Sequence, residues 1–406
     1  MPRGTTEDKM ETESSSQRLI EATIGQWARQ GSAAISVRSL CLEAGAPASS
    51  LYHHFGSLEH LYLSAQAQAR AMAEQWCARH LAALAAAGPL APAALPSLLA
   101  ALIDDWTDHQ RPLAFAWREC VLAAARESHF VAELDAWRAL WSSFWQAVCD
   151  RCGRPDHGML TSLFFYNESG MHLMRWHRAI DRAALDDLTA GWAAWLDGSL
   201  AVEGPWRRAA RDEAIRTMPN LPVLGELSGR IAVAAAALLQ RDGLAGLTHR
   251  AVATEAGLTL GVVSHNARTS ADLVRAAFEM VYRQAAGSSA MDPSPIVIAD
   301  DALAERLAYF QRDTSSLLAL DELILAVARD PQLASFIPQL RYLRGRTSAT
   351  LMPAIAGGGR RGSPLDHALL SATISGLRQA CIGASPEAVT QRVEAMLATI
   401  TRTLRG

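Results

Sequence analysis

A set of residues recurs in this chain at a fixed interval of 212 positions. Gly31 pairs with Gly243, Arg38 with Arg250, Glu43-Ala44-Gly45 with Glu255-Ala256-Gly257, His53 with His265 and Leu61 with Leu273. The register holds without a gap over about 40 residues. A constant offset of that length points to an internal duplication, and it constrains the fold: what the first copy builds, the second must build again.

The first copy carries clear local signals. Ser36 is placed to cap a short helix, its hydroxyl accepting from backbone N–H groups that have no intrahelical partner. Val37, Leu40 and Cys41 recur at helical spacing and form an inward stripe. Gly45 follows at the position where a left-handed residue ends a helix. Pro47 suits the first turn of the next helix, since its fixed φ and missing N–H cost little there. Leu51 and Phe55 then face inward, leaving Ser49, Ser50, Tyr52, His53 and His54 outside. A small, hydroxyl-rich helix after a glycine turn is suited to a DNA major groove.

Residues 17–62 resemble the DNA-binding domain of the TetR family of bacterial transcriptional regulators. The likeness runs through an amphipathic first helix (Leu19, Ile20, Ile24, Trp27, Ala28), Gly31, Val37-Arg38-Ser39-Leu40, Glu43-Ala44-Gly45, Ser50-Leu51-Tyr52-His53-His54-Phe55 and Ser57-Leu58-Glu59-His60-Leu61. Pro47 departs from it, standing where the family usually has a Ser or Thr cap. The resemblance implies that Ser36, Arg38, Ser50, Tyr52 and His54 touch phosphates, with Ala48, Ser49 and His53 near base edges. Ala48 and Ser49 can make only small contacts, such as a thymine methyl or one hydrogen bond.

The second copy is less well equipped. Thr248 and Thr259 are placed as caps, but Val262 replaces Ser50, Ser264 replaces Tyr52, and Ala267 stands where Phe55 does. Arg250, Thr259, His265 and Arg268 are its candidate DNA contacts. Charge is balanced in the first head, where Arg18, Arg29 and Arg38 face Glu21, Glu43 and Glu59. In the second, Arg230, Arg241, Arg250 and Arg268 oppose Asp242, Glu255 and Asp272. The second head is therefore read as holding phosphate while reading sequence weakly, or else as a structural relic that no longer binds DNA.

The fold expected is all-α, as two tandem units, each a three-helix head followed by a helical-bundle body. The expected divisions are a polar tail over 1–16, a head over 17–62, a body over 63–202, a linker over 203–226, a second head over 227–274 and a second body over 275–406. In the first body, helices are expected near 62–86, 92–110, 112–128, 130–152, 156–178 and 182–198, with a break at Ile180-Asp181. Residues 203–226 carry Pro205, Pro219 and Pro222 and read as a linker containing a short helix. In the second body, breaks are expected at Pro293 and Pro295, near Asp330-Pro331, at Gly357-Gly358-Gly359 and at Ser385-Pro386.

Two such units in one chain supply both reading heads of a two-fold site, about 34–36 Å apart, without a second molecule. The expected partners are a double-stranded DNA operator, asymmetric because the heads differ, and a small apolar or aromatic effector. The chain is expected to act as an intramolecular pseudo-dimer, with further self-association open. The net charge of −3 does not advertise nucleic-acid binding, but local patches rather than totals decide that. Lysine occurs once, so arginine carries the positive charge and favours bidentate contacts.

No secretory signal or membrane span is expected, because the longest uncharged run, Leu81 to Ile103, contains Gly88, Pro89, Pro92 and Pro96. That reading makes the chain cytoplasmic and its six cysteines reduced. Cys149 and Cys152 form a CxxC pair with no companion of metal-site spacing, so no metal and no cofactor are expected.

All eleven tryptophans lie between Trp27 and Trp206. Trp137, Trp141 and Trp145 form one helical stripe, read either as a ligand pocket or as core and body-to-body contact. The residues expected to meet an effector are Trp106, Trp117, Trp141, Tyr166, His172 and Trp176. The leading expectation is a ligand-responsive repressor. A sensor or scaffold that has lost specific DNA binding is the alternative. An enzyme is not expected, since nothing resembles a nucleophile elbow, a set of paired metal ligands or a phosphate loop.

Overall fold

The computed structural model describes residues 14–217, 225–290, 300–312, 315–346 and 348–405. Among these residues all regular structure is helical, and no helix is long and apolar enough to cross a membrane. The first half comprises α1 (Ser15–Arg29), α2 (Val37–Glu43), α3 (Ala48–Phe55), α4 (Leu58–Ala87), α5 (Leu95–Asp108), α6 (Arg111–Arg126), α7 (Val131–Arg151), α8 (Gly158–Met171), α9 (Arg178–Leu196) and α10 (Pro205–Arg216). The second comprises α11 (Glu226–Gly246), α12 (His249–Ala256), α13 (Leu260–Asn266), α14 (Ser270–Ala290), α15 (Asp300–Arg312), α16 (Ser315–Arg329), α17 (Ile337–Tyr342), α18 (Met352–Ala356), α19 (Pro364–Cys381) and α20 (Pro386–Arg405). The tail expected over 1–16 falls largely outside the described residues, apart from Ser14, which caps α1, and Ser15 and Ser16, which begin it. Pro219, Pro222, Pro293 and Pro295 also lie outside them.

The first three helices pack around Leu19, Trp27, Leu40 and Leu51, all buried. Ser36 and Ser39 form a reciprocal capping box at the start of α2. Gly45 takes φ 58° at its end, a conformation that a side chain would strain. Pro47 caps α3 from outside instead of beginning it. Its ring carries no acceptor, so the α3 cap has no side-chain hydrogen bond, and only the Pro47 carbonyl accepts, from Ser50 N–H at 2.9 Å.

Positions 212 apart do the same local work in the second group. Thr248 caps α12 as Ser36 caps α2, Thr269 caps α14 as Ser57 caps α4, and Gly257 takes φ 62° where Gly45 takes 58°. Arg18 Nε donates to Ala44 O at 2.8 Å, and Arg230 Nη2 to Ala256 O at 2.7 Å. Arg29 pairs with Glu43, and Arg241 with Glu255. One difference follows from the missing aromatic. Ala267 is buried where Phe55 packs, and the His249 ring bonds to the Ala267 carbonyl at 2.7 Å, tying the end of α13 to the start of α12.

One expectation about the bodies needs correction. Helix α8 stops at Met171 and α9 begins at Arg178, so Ile180-Asp181 lies inside α9. The cause is long-range. The buried Arg341 guanidinium donates to the Met171 carbonyl at 3.0 Å and to that of Met174, satisfying the end of α8. Asp181 sits in the first turn of α9, where the helix dipole favours a carboxylate, and accepts from Trp176 N–H at 3.1 Å and Tyr342 OH at 2.8 Å. The short helix expected in the linker is α10, and it is docked. Helix α10 buries Arg207, Ala210 and Ala214, and Gln339 Nε2 donates to the Ala214 and Thr217 carbonyls at its C-terminal end, each at 3.1 Å.

The two halves meet most closely where α8 crosses α19. A Cβ built on Gly376 would lie 1.8 Å from the Leu163 carbonyl oxygen, so only glycine lets the helices approach this far. Gly376→Ala is expected to cost about 1–3 kcal/mol through overpacking against backbone. Denaturant unfolding of the two proteins checks this, and an unchanged midpoint would refute it.

Candidate nucleic-acid interface

Helix α3 presents the expected face. Tyr52 is 56% exposed, His53, Ala48 and Ser49 are exposed, and Ser50 is half-buried beside the buried Leu51. Ser36 and Arg38 are exposed at the start of α2. In the first head, Arg18 is directed to a carbonyl and Arg29 to Glu43, while Arg38 faces outward and enters no ion pair among the described residues. His54 is engaged differently. Its Nε2 bonds to Ser15 Oγ at 2.8 Å, which braces the end of α3 against the start of α1.

The second head repeats this economy. Arg250, Thr259, His265 and Arg268 are all exposed. Arg230 and Arg241 have intrahead partners, whereas Arg250, the counterpart of Arg38, enters no ion pair among the described residues. Leu260 stands 45% exposed where the first head has Ala48. An outward arginine at the same place in each head is suited to phosphate, and small side chains on α3 let the helix approach base edges closely.

The attachment of the heads was missed by sequence reasoning. Glu119 on α6 is 5% exposed and accepts from Ser32 N–H at 3.1 Å and Ser32 Oγ–H at 2.5 Å, just after the Gly31 turn. Glu322 on α16 is 4% exposed and accepts from Leu244 N–H at 2.6 Å, just after the Gly243 turn. Each carboxylate is then paired across the molecule. Arg329 of α16 bonds to Glu119 at 2.5 Å and to the Trp27 carbonyl at 2.7 Å, and Arg126 of α6 bonds to Glu322. A cavity of ≈ 250 Å³ lies at this crossing, lined by residues of both turns. A signal was present in the sequence: Glu119 to Arg126 reads ECVLAAAR and Glu322 to Arg329 reads ELILAVAR. Its offset is 203 rather than 212, so a search at one fixed interval passes over it.

The expected effector residues do not line one pocket. Trp106, Trp117 and Trp141 are fully buried and packed ring against ring, with centroids of Trp106 and Trp141 4.8 Å apart and of Trp117 and Trp141 5.3 Å apart. Trp137 and Trp145 join the same cluster through Trp141 and Phe165. All these ring contacts stay within the first body, so the stripe is core there rather than a seam between bodies. Aromatic packing fills this space, and the three rings line neither the ≈ 480 Å³ groove nor the ≈ 310 Å³ one. Tyr166 does line the larger groove, while His172 and Trp176 border a separate cleft of ≈ 80 Å³. Cys149 and Cys152 are buried thiols, and burial pushes that of Cys149 up to about 11, which suits neither redox exchange nor metal binding.

This geometry agrees with the comparisons to known proteins. Residues 19–65 match the family described as bacterial regulatory proteins, tetR family. The first head is thus similar to the DNA-binding domain of that family. Over 111 residues the chain is 33% identical to the HTH-type transcriptional regulator CymR of Pseudomonas putida, a match taking in 27% of this chain and 54% of that protein. The chain thus spans about half the length of the curated relative it matches. The tetR-family match ends within α4, where the head passes into the body, and the Glu119–Arg329 pair grips that head from outside the matched segment.

Removing one partner of a buried pair strands the other charge. Arg329→Ala is expected to cost about 3–5 kcal/mol, whereas Glu119→Gln combined with Arg329→Met costs less than that single change. Denaturant unfolding of the set tests this, and a double variant worse than Arg329→Ala would contradict it.

His172 offers a second test. Burial, with Arg341, Arg344, Arg207 and Arg182 around it, holds its pKa well below the ordinary 6.5, although Glu168 lies 3.7 Å away. The unfolded chain therefore binds a proton below pH 6.5 that the folded chain refuses. This contribution is fully present above pH 6.5 and is lost as the pH falls, by up to about 1.4 kcal/mol per pH unit. His172→Gln should flatten that part of the stability profile between pH 6.5 and 5, measured by urea unfolding at each pH.

Proposed function

We propose that this protein is a one-chain, ligand-responsive transcriptional repressor that grips an imperfectly palindromic operator with two unequal heads. It is a tandem duplication: residues 17–62 and 227–274 are the heads, 63–202 and 275–406 the bodies, and 203–226 joins the halves. The observation that carries this reading is the reciprocal bracing of the heads, Glu119 with Arg329 and Glu322 with Arg126. A monomer with one head has no use for a second turn held by the same motif from the opposite side. The close α8–α19 packing supports the same reading, since it supplies within one chain the helix-on-helix contact that two subunits would otherwise make.

On DNA, Arg38 and Arg250 take phosphates on either side of the site, Ser36, Ser50 and Tyr52 add backbone contacts, and Ala48, Ser49 and His53 meet base edges in the first half-site. The second head, with Thr259, His265 and Arg268, contributes mainly phosphate contact. His54 acts through Ser15 by holding α3 in place. An effector represses or releases binding only by preferring one head spacing over another.

The experiment is a gel shift on the adjoining intergenic DNA across a salt series, with sedimentation of the free protein. Tyr52→Ala is expected to weaken binding at least about tenfold, in line with about 1.4 kcal/mol for a tenfold change. Arg38→Ala and Arg250→Ala should each lower the salt slope by about 1. A slope unmoved by Arg250→Ala would remove the second head from the DNA. No salt-sensitive shift at all would favour the sensor or scaffold reading. A stable dimer of chains at low concentration would overturn the pseudo-dimer.

A further inference from the structure

We propose that the groove between α7, α8, α19 and α20 binds an apolar molecule that ends in a carboxylate. This inference rests on the reading of the chain as ligand-responsive and names the class of ligand. The groove holds ≈ 480 Å³, within the range of small-molecule sites. Its walls are mainly apolar, with Leu163 and Leu377 from facing helices and Met159, 38% exposed, at its edge. An unbranched thioether can shift to fit a variable apolar body.

Tyr166 OH donates to the Arg138 carbonyl at 3.4 Å, and Arg392 lies near the Arg138 guanidinium. Arg138, Arg392 and Tyr166 all border the groove, against a single carboxylate, Asp135, whose side chain is 59% exposed. Arg138 is 13% exposed at its side chain. It donates to Asp135 Oδ1 at 2.7 Å, to the Ile382 carbonyl at 3.0 Å and to that of Gln379, while its buried Nε has no partner. Arg392 reaches the Ala380 carbonyl. Burial lowers the Arg138 pKa despite its bond to Asp135, and repulsion from the neighbouring Arg392 adds a smaller push in the same direction. Carbonyl oxygens carry only partial charge. One full negative charge between the two guanidiniums would relieve both the desolvation and the repulsion, and guanidiniums match a carboxylate through paired N–H donors.

The position gives the ligand a mechanical consequence. Helices α7 and α8 belong to the first half of the chain and α19 and α20 to the second, so the occupant bridges them. A ligand that fits one crossing of α8 on α19 favours the head arrangement that goes with it.

The test is calorimetry of the full-length protein with decanoate and 2-naphthoate, and with methyl decanoate and sodium sulfate as controls. Binding of at least one acid is expected, with the ester and sulfate at least tenfold weaker. Arg392→Gln, an exposed position, should weaken the acid at least tenfold, and Ala395→Trp should block it by filling the groove while unfolding at the wild-type midpoint. Acids that bind no better than the ester or sulfate, or that are indifferent to both substitutions, would overturn the proposal. A gel shift run in parallel separates the two readings. Operator binding with no acid binding overturns this site alone. Acid binding that leaves operator affinity unchanged upholds the site and counts against ligand-responsive repression.

Discussion

Two carboxylates, Glu119 and Glu322, are taken almost wholly out of water and held by the same two kinds of partner. One is a backbone N–H just after a glycine turn, and the other is an arginine from the opposite half of the chain. A buried carboxylate without such partners would cost several kcal/mol. The local donor fixes each head to its own body helix, and the arginine fixes that body helix to the other half. Breaking one link exposes an unsatisfied charge in the next. The positions of both heads therefore follow from this crossing more than from the packing within either head.

Around that crossing the two bodies solve the problem of filling space differently. The first body uses tryptophan: Trp76, Trp106, Trp117, Trp137, Trp141 and Trp145 stack or meet edge-on. The second has none, and relies on leucine, isoleucine, valine, methionine and alanine along α16, α19 and α20.

The heads were legible in the sequence because their signals are local. Ser36, Gly45, Thr248 and Gly257 act on backbone groups within four residues of themselves, so residue type and spacing suffice. Even there the reading of Pro47 slipped by one residue, since a proline can precede a helix as readily as begin it. The bodies were less legible. The end of α8 depends on Arg341, some 170 residues away, and the docking of α10 depends on Gln339. Tryptophans at helical spacing look alike whether they line a pocket or fill a core, and the rings around Trp141 decide between the two. Of the residues expected near a ligand, only Tyr166 borders the larger groove, and the arginines beside it carry no signal until α7 and α20 are brought together.

By itself the sequence determined that the chain is helical, that Ser36, Thr248 and Thr259 cap short helices, and which face of α3 meets solvent. Those properties depend on caps, turns and apolar periodicity, all settled within a few residues. Tertiary structure alone decided that Glu119 answers to Arg329 and Glu322 to Arg126, that α8 presses on α19 at Gly376, and that two arginines 254 positions apart, Arg138 and Arg392, border one groove. A charge does not reveal its partner until burial removes water as the alternative, and burial belongs to the folded chain as a whole.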